Sequence, residues 1–91
     1  MILEIVTPEA TLFKGDVESV AVPGVNGEFQ MLSDHAPIVS LLKEGYVKIF
    51  GDIKLDEEVE AKFEKREKGT WLAINSGTIE MKDNKIIVLA D

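Results

Sequence analysis

The sequence predicts an all-β protein, a flattened β-sandwich of roughly eight to ten short strands. Short runs rich in β-branched and aromatic residues recur along the 91 residues. Gly, Pro, Asn and Asp interrupt these runs about every ten residues, and only one segment has helix-like apolar spacing. Because a chain of this length builds one core, a single domain spanning residues 1–91 is expected.

Each strand is predicted from an apolar or alternating run that ends at turn residues. The predicted strands are 2–6, 17–22, 28–32, 38–42, 46–50, 71–74, 78–82 and 85–89. Pro8 ends the first strand and Pro23 the second, because Pro cannot donate a ladder hydrogen bond. Residues 23–27 hold one Pro, two Gly and one Asn, a dense turn signal. The run 38–42 is expected to be buried.

The segment 52–68 is different, because 12 of its 17 residues are charged. Leu55, Val59 and Phe63 follow i, i+4, i+8 spacing and fit one face of a helix. Val59, Ala61 and Phe63 also alternate with charged residues, which fits a half-exposed strand. We favour the strand, because a Gly-Asp turn at 51–52 precedes the segment and strands follow it.

Composition excludes several classes of function. The net charge is −7 and the pI about 4.6, without the basic surface that nucleic acids or anionic lipids require. Direct membrane insertion is not expected, since the apolar runs are far shorter than roughly 20 residues and the first residues are not a secretory signal. The acidic surface either favours a basic protein partner or only prevents aggregation.

No set of residues predicts catalysis, and the chain has no Cys. His35 follows Ser33 and Asp34, but no G-x-S-x-G motif accompanies them. One His without Cys does not make a zinc site, and the Gly-rich stretch 24–27 lacks the Lys of a phosphate-binding loop. The sequence therefore predicts no catalytic residue, no metal and no cofactor.

A binding or structural role remains, and the large side chains are its natural contacts. Trp71 and Phe63 are expected in the core. The candidate interface anchors are Phe13, Phe29, Met31 and Tyr46. One alternative function is a small-ligand or carbohydrate-binding sandwich, which would need a concave, aromatic-lined patch.

Residues 22–37, VPGVNGEFQMLSDHAP, resemble a signature of the ε subunit of F-type ATP synthases, whose mitochondrial counterpart is called δ. The signature is a Gly-Glu strand start, a short apolar strand, a turn and His-Ala-Pro. Similar blocks occur in the family's order at LEIVTP (3–8), at FKG with VE (13–18), at NSGTIEM (75–81) and at IVLAD (87–91).

The resemblance implies a non-catalytic rotor subunit that links the γ shaft of the central stalk to the membrane c-ring and couples ion translocation to ATP synthesis. It places Glu28, with Asn26 and Gly27, against the polar loops of the c-ring, and Thr7 and His35 toward γ. An acidic loop residue suits a charge-assisted contact with a basic ring loop. The implied location is the cytoplasmic face of the bacterial inner membrane, peripheral and within the ATP synthase complex.

Two departures from the family pattern stand out. Members often continue past Leu-Ala-Asp into a two-helix hairpin that supplies inhibition and, in some, ATP binding. A short form that lacks this hairpin is expected here. The segment 51–69 is longer than in typical members, and an extended hairpin projecting from the sandwich is expected there.

Overall fold

The computed structural model describes residues 1–66 and 68–91, and this part of the chain forms ten strands and one turn of 3₁₀ helix. The strands are β1 (Ile2–Val6), β2 (Thr11–Asp16), β3 (Ser19–Gly24), β4 (Gly27–Met31), β5 (Ile38–Leu42), β6 (Gly45–Phe50), β7 (Phe63–Arg66), β8 (Gly69–Ile74), β9 (Gly77–Lys82) and β10 (Lys85–Ala90). The 3₁₀ turn is Glu60–Lys62. The all-β prediction is confirmed.

The strands form one curled sheet that divides into two layers. The first layer has the order β2-β1-β10-β9-β5, and the second layer has the order β4-β3-β6-β8-β7. One pair, Gly24 with Leu42, joins β3 to β5 and so connects the layers. β1 and β10 are parallel, and the other pairs are antiparallel. This is the sandwich-like architecture that the spacing of short strands predicts.

The core lies between the inner faces of the two layers, because alternate side chains of each strand point inward. The fully buried large side chains are Leu3, Ile5, Met31, Ile49, Ile79, Met81, Ile86, Val20, Val22, Val47 and Val88. They form one cluster that contains residues of both layers. Each such burial contributes roughly 1.5–3 kcal/mol, so this cluster is what holds the layers together.

β2 was not predicted from local pattern, because Lys14, Gly15 and Asp16 favour strands poorly. Leu12 and Phe13 are consecutive and both buried, which regular alternation does not allow. A register shift against β1 explains this, since Ile5 pairs with Phe13 and the next β1 residue pairs with Thr11. The bulge turns both side chains inward, and pairing with β1 then makes a strand of a weak sequence.

The predicted end of the second strand at Pro23 is wrong. β3 continues through Pro23 and Gly24, and the turn that follows it consists of residues 25–26. Pro23 has no N–H to donate, but its carbonyl accepts a hydrogen bond from the Lys43 N–H at 2.9 Å. A strand tolerates Pro where only its carbonyl is needed.

The preferred strand for the segment 52–68 is wrong over most of its length. Only Phe63–Arg66 is a strand, residues 60–62 are the 3₁₀ turn, and residue 67 lies outside the described part. Val59 and Phe63 belong to the core, and Ile53 and Leu55 pack against it. Lys54 and Asp56 line a shallow cavity with residues 11–14 of β2.

The same contacts correct the expected projecting hairpin. Lys54 and Asp56 of the segment lie beside β2 at the edge of the first layer, and Phe63–Arg66 forms β7 at the edge of the second layer. Its apolar residues cover the core between these two edges, while its charged residues in the described part of the chain are exposed to solvent. The charged neighbours have weak strand propensity, and burial of the apolar side chains stabilises a segment that packs on the core over a hairpin that projects from it.

Candidate interaction surface

The first layer has an open side, which we call the outer face. It consists of the outward side chains of four strands: Ile2, Glu4, Val6, Val39, Leu41, Thr78, Glu80, Lys82, Lys85, Ile87 and Leu89. Val39 is 75% exposed, Leu41 62% and Leu89 52%. Leu89 and Leu41 flank Thr78 in the strand register. Neighbouring exposed apolar side chains of this kind mark interaction sites, unlike isolated ones.

The outer face corrects the expectation that β5 is wholly buried. The apolar run at Ile38–Leu42 has Leu42 in the core, but Val39 and Leu41 point to solvent. Because four of the five residues of β5 are apolar, alternation along the strand places apolar side chains on both faces of the sheet. The overlooked signal was that Val39 and Leu41 are apolar although alternation places them on the solvent side of the strand.

At one end the outer face deepens into an apolar groove of about 620 Å³. Its lining consists of Val6, Thr7, Pro8, Val25, Leu41, Leu42, Ser76, Gly77, Thr78, Leu89, Ala90 and Asp91. The walls are aliphatic, and none of these lining residues is aromatic. An open groove with these walls suits an apolar side chain from a protein partner better than a sugar ring, which stacks on aromatic side chains.

Thr7 stands at the rim of this groove, where β1 ends. Its N–H donates to the Ala10 carbonyl at 2.8 Å, and its hydroxyl accepts from the Ala10 N–H at 3.2 Å. The hydroxyl also donates to the same carbonyl at 3.1 Å. These bonds close the turn at residues 8–9 and fix the shape of the groove entrance.

His35 lies in an exposed loop between β4 and β5. Its backbone N–H donates to the Leu32 carbonyl at 3.2 Å, and its ring Nδ1 lies 2.7 Å from the Ala36 carbonyl. A carbonyl only accepts, so Nδ1 carries the proton in this contact and Nε2 remains for another partner. The same loop contacts the β9–β10 turn through Asp34 and Asn84.

Thr7 and His35 are at opposite ends of the first layer. The His35 loop lies beside Asn84, which precedes β10, whereas Thr7 follows Val6, the partner of Leu89 near the end of β10. Five strand residues separate the two ends by about 17 Å. A single protein partner can contact both residues, because a typical interface buries about 800 Å² on each partner and so forms a patch roughly 30 Å across. The outer face connects them.

Glu28, in β4, is held by a cation. Its Oε1 lies 2.8 Å from Lys48 Nζ, and that nitrogen lies 4.3 Å from the centre of the Trp71 ring. Glu28 is half exposed, so one carboxylate oxygen is paired and the other can accept from a partner. Sequence reasoning missed Lys48, because the pairing depends on β4 and β6 both flanking β3.

Asn26 and Gly27 form the turn before Glu28. Gly27 has a φ of +123°, a left-handed conformation that favours glycine, although an added Cβ would have nothing within 4 Å. The neighbouring Val25 lines the groove, and its N–H donates to the Leu41 carbonyl at 3.3 Å. The structure thus brings Thr7 close to the turn at 25–27 and leaves His35 at the far end.

Most of the four predicted interface anchors are not at the surface. Phe13 and Met31 are buried in the core, and Phe29 packs against it. Tyr46 is half buried on the outside of the second layer, with its ring centre 5.2 Å from that of Trp71. Trp71 is therefore not a core residue, whereas Phe63 is, as predicted.

Lys48 and Arg66 border the Trp71 ring, and Arg66 Cζ lies 4.5 Å from its centre. Arg66 also lies 3.3 Å from Glu64. Each cation therefore already has a carboxylate and an aromatic partner within the protein. This surface of the second layer is satisfied internally, unlike the outer face.

One ion pair lies at the start of the chain. The N-terminal amino group hydrogen-bonds Asp16 Oδ1 at 2.9 Å, and this bond, with the positive charge, lowers the pKa of the Asp16 carboxyl. Within residues 1–66 and 68–91, no three His, Cys, Asp or Glu side chains are grouped to hold a metal ion. What the described surface does offer is the exposed apolar outer face with its groove, which is the kind of surface on which a protein partner docks.

Comparison with known proteins identifies the family to which the chain is similar. The model of the family "ATP synthase, Delta/Epsilon chain, beta-sandwich domain" matches residues 1–91. The chain is 40% identical over 89 residues to the ATP synthase epsilon chain of Campylobacter concisus, covering 98% of this chain and 59% of that one. For Campylobacter fetus the identity is 42% with the same coverage. For Chlorobaculum tepidum it is 37%, covering 86% of that protein.

The fold also has a solved counterpart. A chain in the cryo-EM structure of the Tetrahymena thermophila mitochondrial ATP synthase central stalk and c-ring superposes with a TM-score of 0.71. It is 13% identical, and the match covers 99% of this chain and 62% of that one. This chain spans about 59% of the length of the Campylobacter relatives. In the part of the chain that is described, no helix has the length and apolarity needed to cross a membrane.

Proposed function

Since the chain belongs to the family of ATP synthase delta/epsilon chain β-sandwich domains, we propose that it is a non-catalytic rotor component that joins the γ shaft of the central stalk to the c-ring. Residues 1–91 act as one β-sandwich domain in this proposal. It sits peripherally at the cytoplasmic face of the bacterial inner membrane. No bond is made or broken by its residues, and no cofactor takes part.

One observation carries the γ contact, namely the exposed apolar side chains of the outer face. Leu41 and Leu89 are more than half exposed although both stand on strands of the ten-stranded sheet. Leaving such groups in water is costly, and covering them with a partner recovers roughly 25 cal/mol per Å². The face also spans the distance from Thr7 to His35, the two residues proposed to lie toward γ.

The ring contact has a different character in this proposal. Asn26 and Gly27 expose backbone and amide groups at a turn, and Glu28 adds one free carboxylate oxygen. Such a contact is small and polar, so it fixes orientation more than it supplies affinity. The apolar γ contact then holds the domain on the shaft while the polar turn follows the ring, and torque passes through the stiff sandwich between them.

The test is titration calorimetry of the full chain against the γ subunit encoded in the same genome. We expect saturable one-to-one binding with a negative heat-capacity change, which is the marker of apolar burial. A folded γ subunit that gives no binding heat and no mobility shift on gel filtration would refute the proposed function. ATP and a panel of sugars serve as negative controls in the same cell.

The ring contact makes a separate prediction. Glu28→Gln keeps the side-chain shape and removes the charge, so binding to purified c-ring should weaken about fivefold at low salt. The difference should shrink at high ionic strength, because exposed charges are screened. Glu57→Gln, at an exposed position outside the turn, is the matched control. Equal losses for both variants, measured by biolayer interferometry, would contradict a role for Glu28.

A further inference from the structure

Three non-glycine residues in the described part of the chain have positive φ: Asp34 (63°), Asp83 (53°) and Asn84 (60°). Asp34 and Asn84 are 50 residues apart in sequence, yet they meet in space. Asp34 is in the loop between β4 and β5, and the other two form the turn between β9 and β10. Asp and Asn tolerate this conformation better than other L-residues, but each still gives up more favourable backbone angles.

Two hydrogen bonds join the loops. The Asp34 N–H donates to Asn84 Oδ1 at 2.7 Å, and Asn84 Nδ2 donates to Asp34 Oδ1 at 3.2 Å. The Asn84 carbonyl also accepts from the Ile2 N–H at 2.9 Å, so the turn itself is anchored to β1. Asn84 thus connects the loop before β5 to the frame of the first layer.

Burial does not explain why the loop is held. All six residues from 32 to 37 are exposed, including Leu32 at 57%. An exposed loop with no apolar contact beneath it is normally mobile. Here the loop has the two bonds to Asn84, and its own bonds at His35 N–H and Nδ1. These hydrogen bonds, rather than burial, hold the loop in this conformation.

We propose that Asp34 and Asn84 form a clip that holds the loop 32–37 in one conformation before a partner arrives, and so presents His35 and Leu32. This inference rests on the proposed function, because His35 is one of the two residues assigned to the γ contact. Asp34 and Asn84 are positioning residues that act through the loop. A loop that is already ordered loses less conformational freedom on binding, which raises affinity without adding a contact.

The turn offers a matched pair of variants. Asn84→Gly suits the left-handed backbone and removes only the clip, while Asp83→Gly makes the same change beside it, where no side-chain bond to the loop exists. We expect Asn84→Gly to increase fast backbone motion at residues 33–36, measured by ¹⁵N relaxation of the free protein. Its affinity for γ should fall about tenfold, whereas Asp83→Gly should behave as wild type.

Exchange of the two side chains tests the pairing itself. Asn84→Asp keeps an acceptor for the Asp34 N–H but replaces the other bond with a pair of facing carboxylates, so it should loosen the loop less than Asn84→Gly does. The double change Asp34→Asn with Asn84→Asp restores one donor and one acceptor and should recover both loop order and affinity. The melting temperatures of all four variants are also measured. If the clip only stabilised the fold, the losses of affinity would follow the losses of melting temperature.

The outcomes separate the two hypotheses. Wild-type order and affinity in Asn84→Gly would overturn the clip while leaving the γ assignment intact, and equal losses in Asp83→Gly would also overturn it. Absence of γ binding by the wild type would overturn the proposed function instead. In that case, ¹⁵N relaxation of residues 33–36 in the free variants still tests the clip, because that measurement does not require γ.

Discussion

Leu41→Asp is expected to abolish tight binding to γ while the protein remains folded. The side chain is 62% exposed, so the carboxylate stays hydrated in the free protein and costs little stability. In a complex that covers the outer face, the same carboxylate would be buried against apolar groups without a partner. We expect at least about a 100-fold loss of affinity, as for a central interface residue. Titration calorimetry measures it directly.

Ala61→Asp is the control, because it adds the same charge at an exposed position of the 3₁₀ turn, away from the outer face. It should keep wild-type affinity to within about twofold. The circular dichroism melts of both variants should match that of the wild type. If Leu41→Asp binds γ as well as Ala61→Asp does, the outer face is not the docking surface.

Gly77→Ala is expected to lower the free energy of unfolding by roughly 3 kcal/mol. The new Cβ would collide with the Leu89 carbonyl oxygen and lie 3.3 Å from Ala90 Cα. Gly77 pairs with Ala90 on one side and Leu42 on the other, so the strand cannot retreat in either direction. Urea unfolding at several temperatures provides the free energy of unfolding.

Gly15→Ala makes the same change on the edge strand β2. There the added carbon would meet the tip of the Phe13 ring at 3.1 Å, and a side-chain tip can move aside. The loss should stay within roughly 1 kcal/mol. Similar losses at the two positions would mean that the first layer adjusts its backbone more easily than its pairing suggests.

Local pattern was enough to predict most strands. Leu3 and Ile5, like Ile79 and Met81, alternate with polar or half-exposed neighbours, and all four are fully buried. The period of two belongs to the strand itself and survives in any sheet. Where a bulge interrupts the period, as at Leu12, the local pattern failed and β2 was missed.

The predicted contact residues could be named but not related to one another. Thr7 and the turn before Glu28 adjoin one groove, while His35 stands at the other end of β10. Their separation depends on which strands neighbour which, and that order is not local information. The Lys48 partner of Glu28 and the Asn84 partner of Asp34 were invisible for the same reason, at sequence separations of 20 and 50 residues.

The sequence by itself determined the all-β class, the approximate positions of most strands and, through its motifs, the family. It could do so because strand periodicity and turn chemistry act over a few residues. Only the tertiary structure decided which layer leaves a face open, how the segment 52–68 covers the core, and that the apolar groups of β5 and β10 meet beside Thr7. Those features depend on long-range pairing and on competition for burial, which no short stretch of residues encodes.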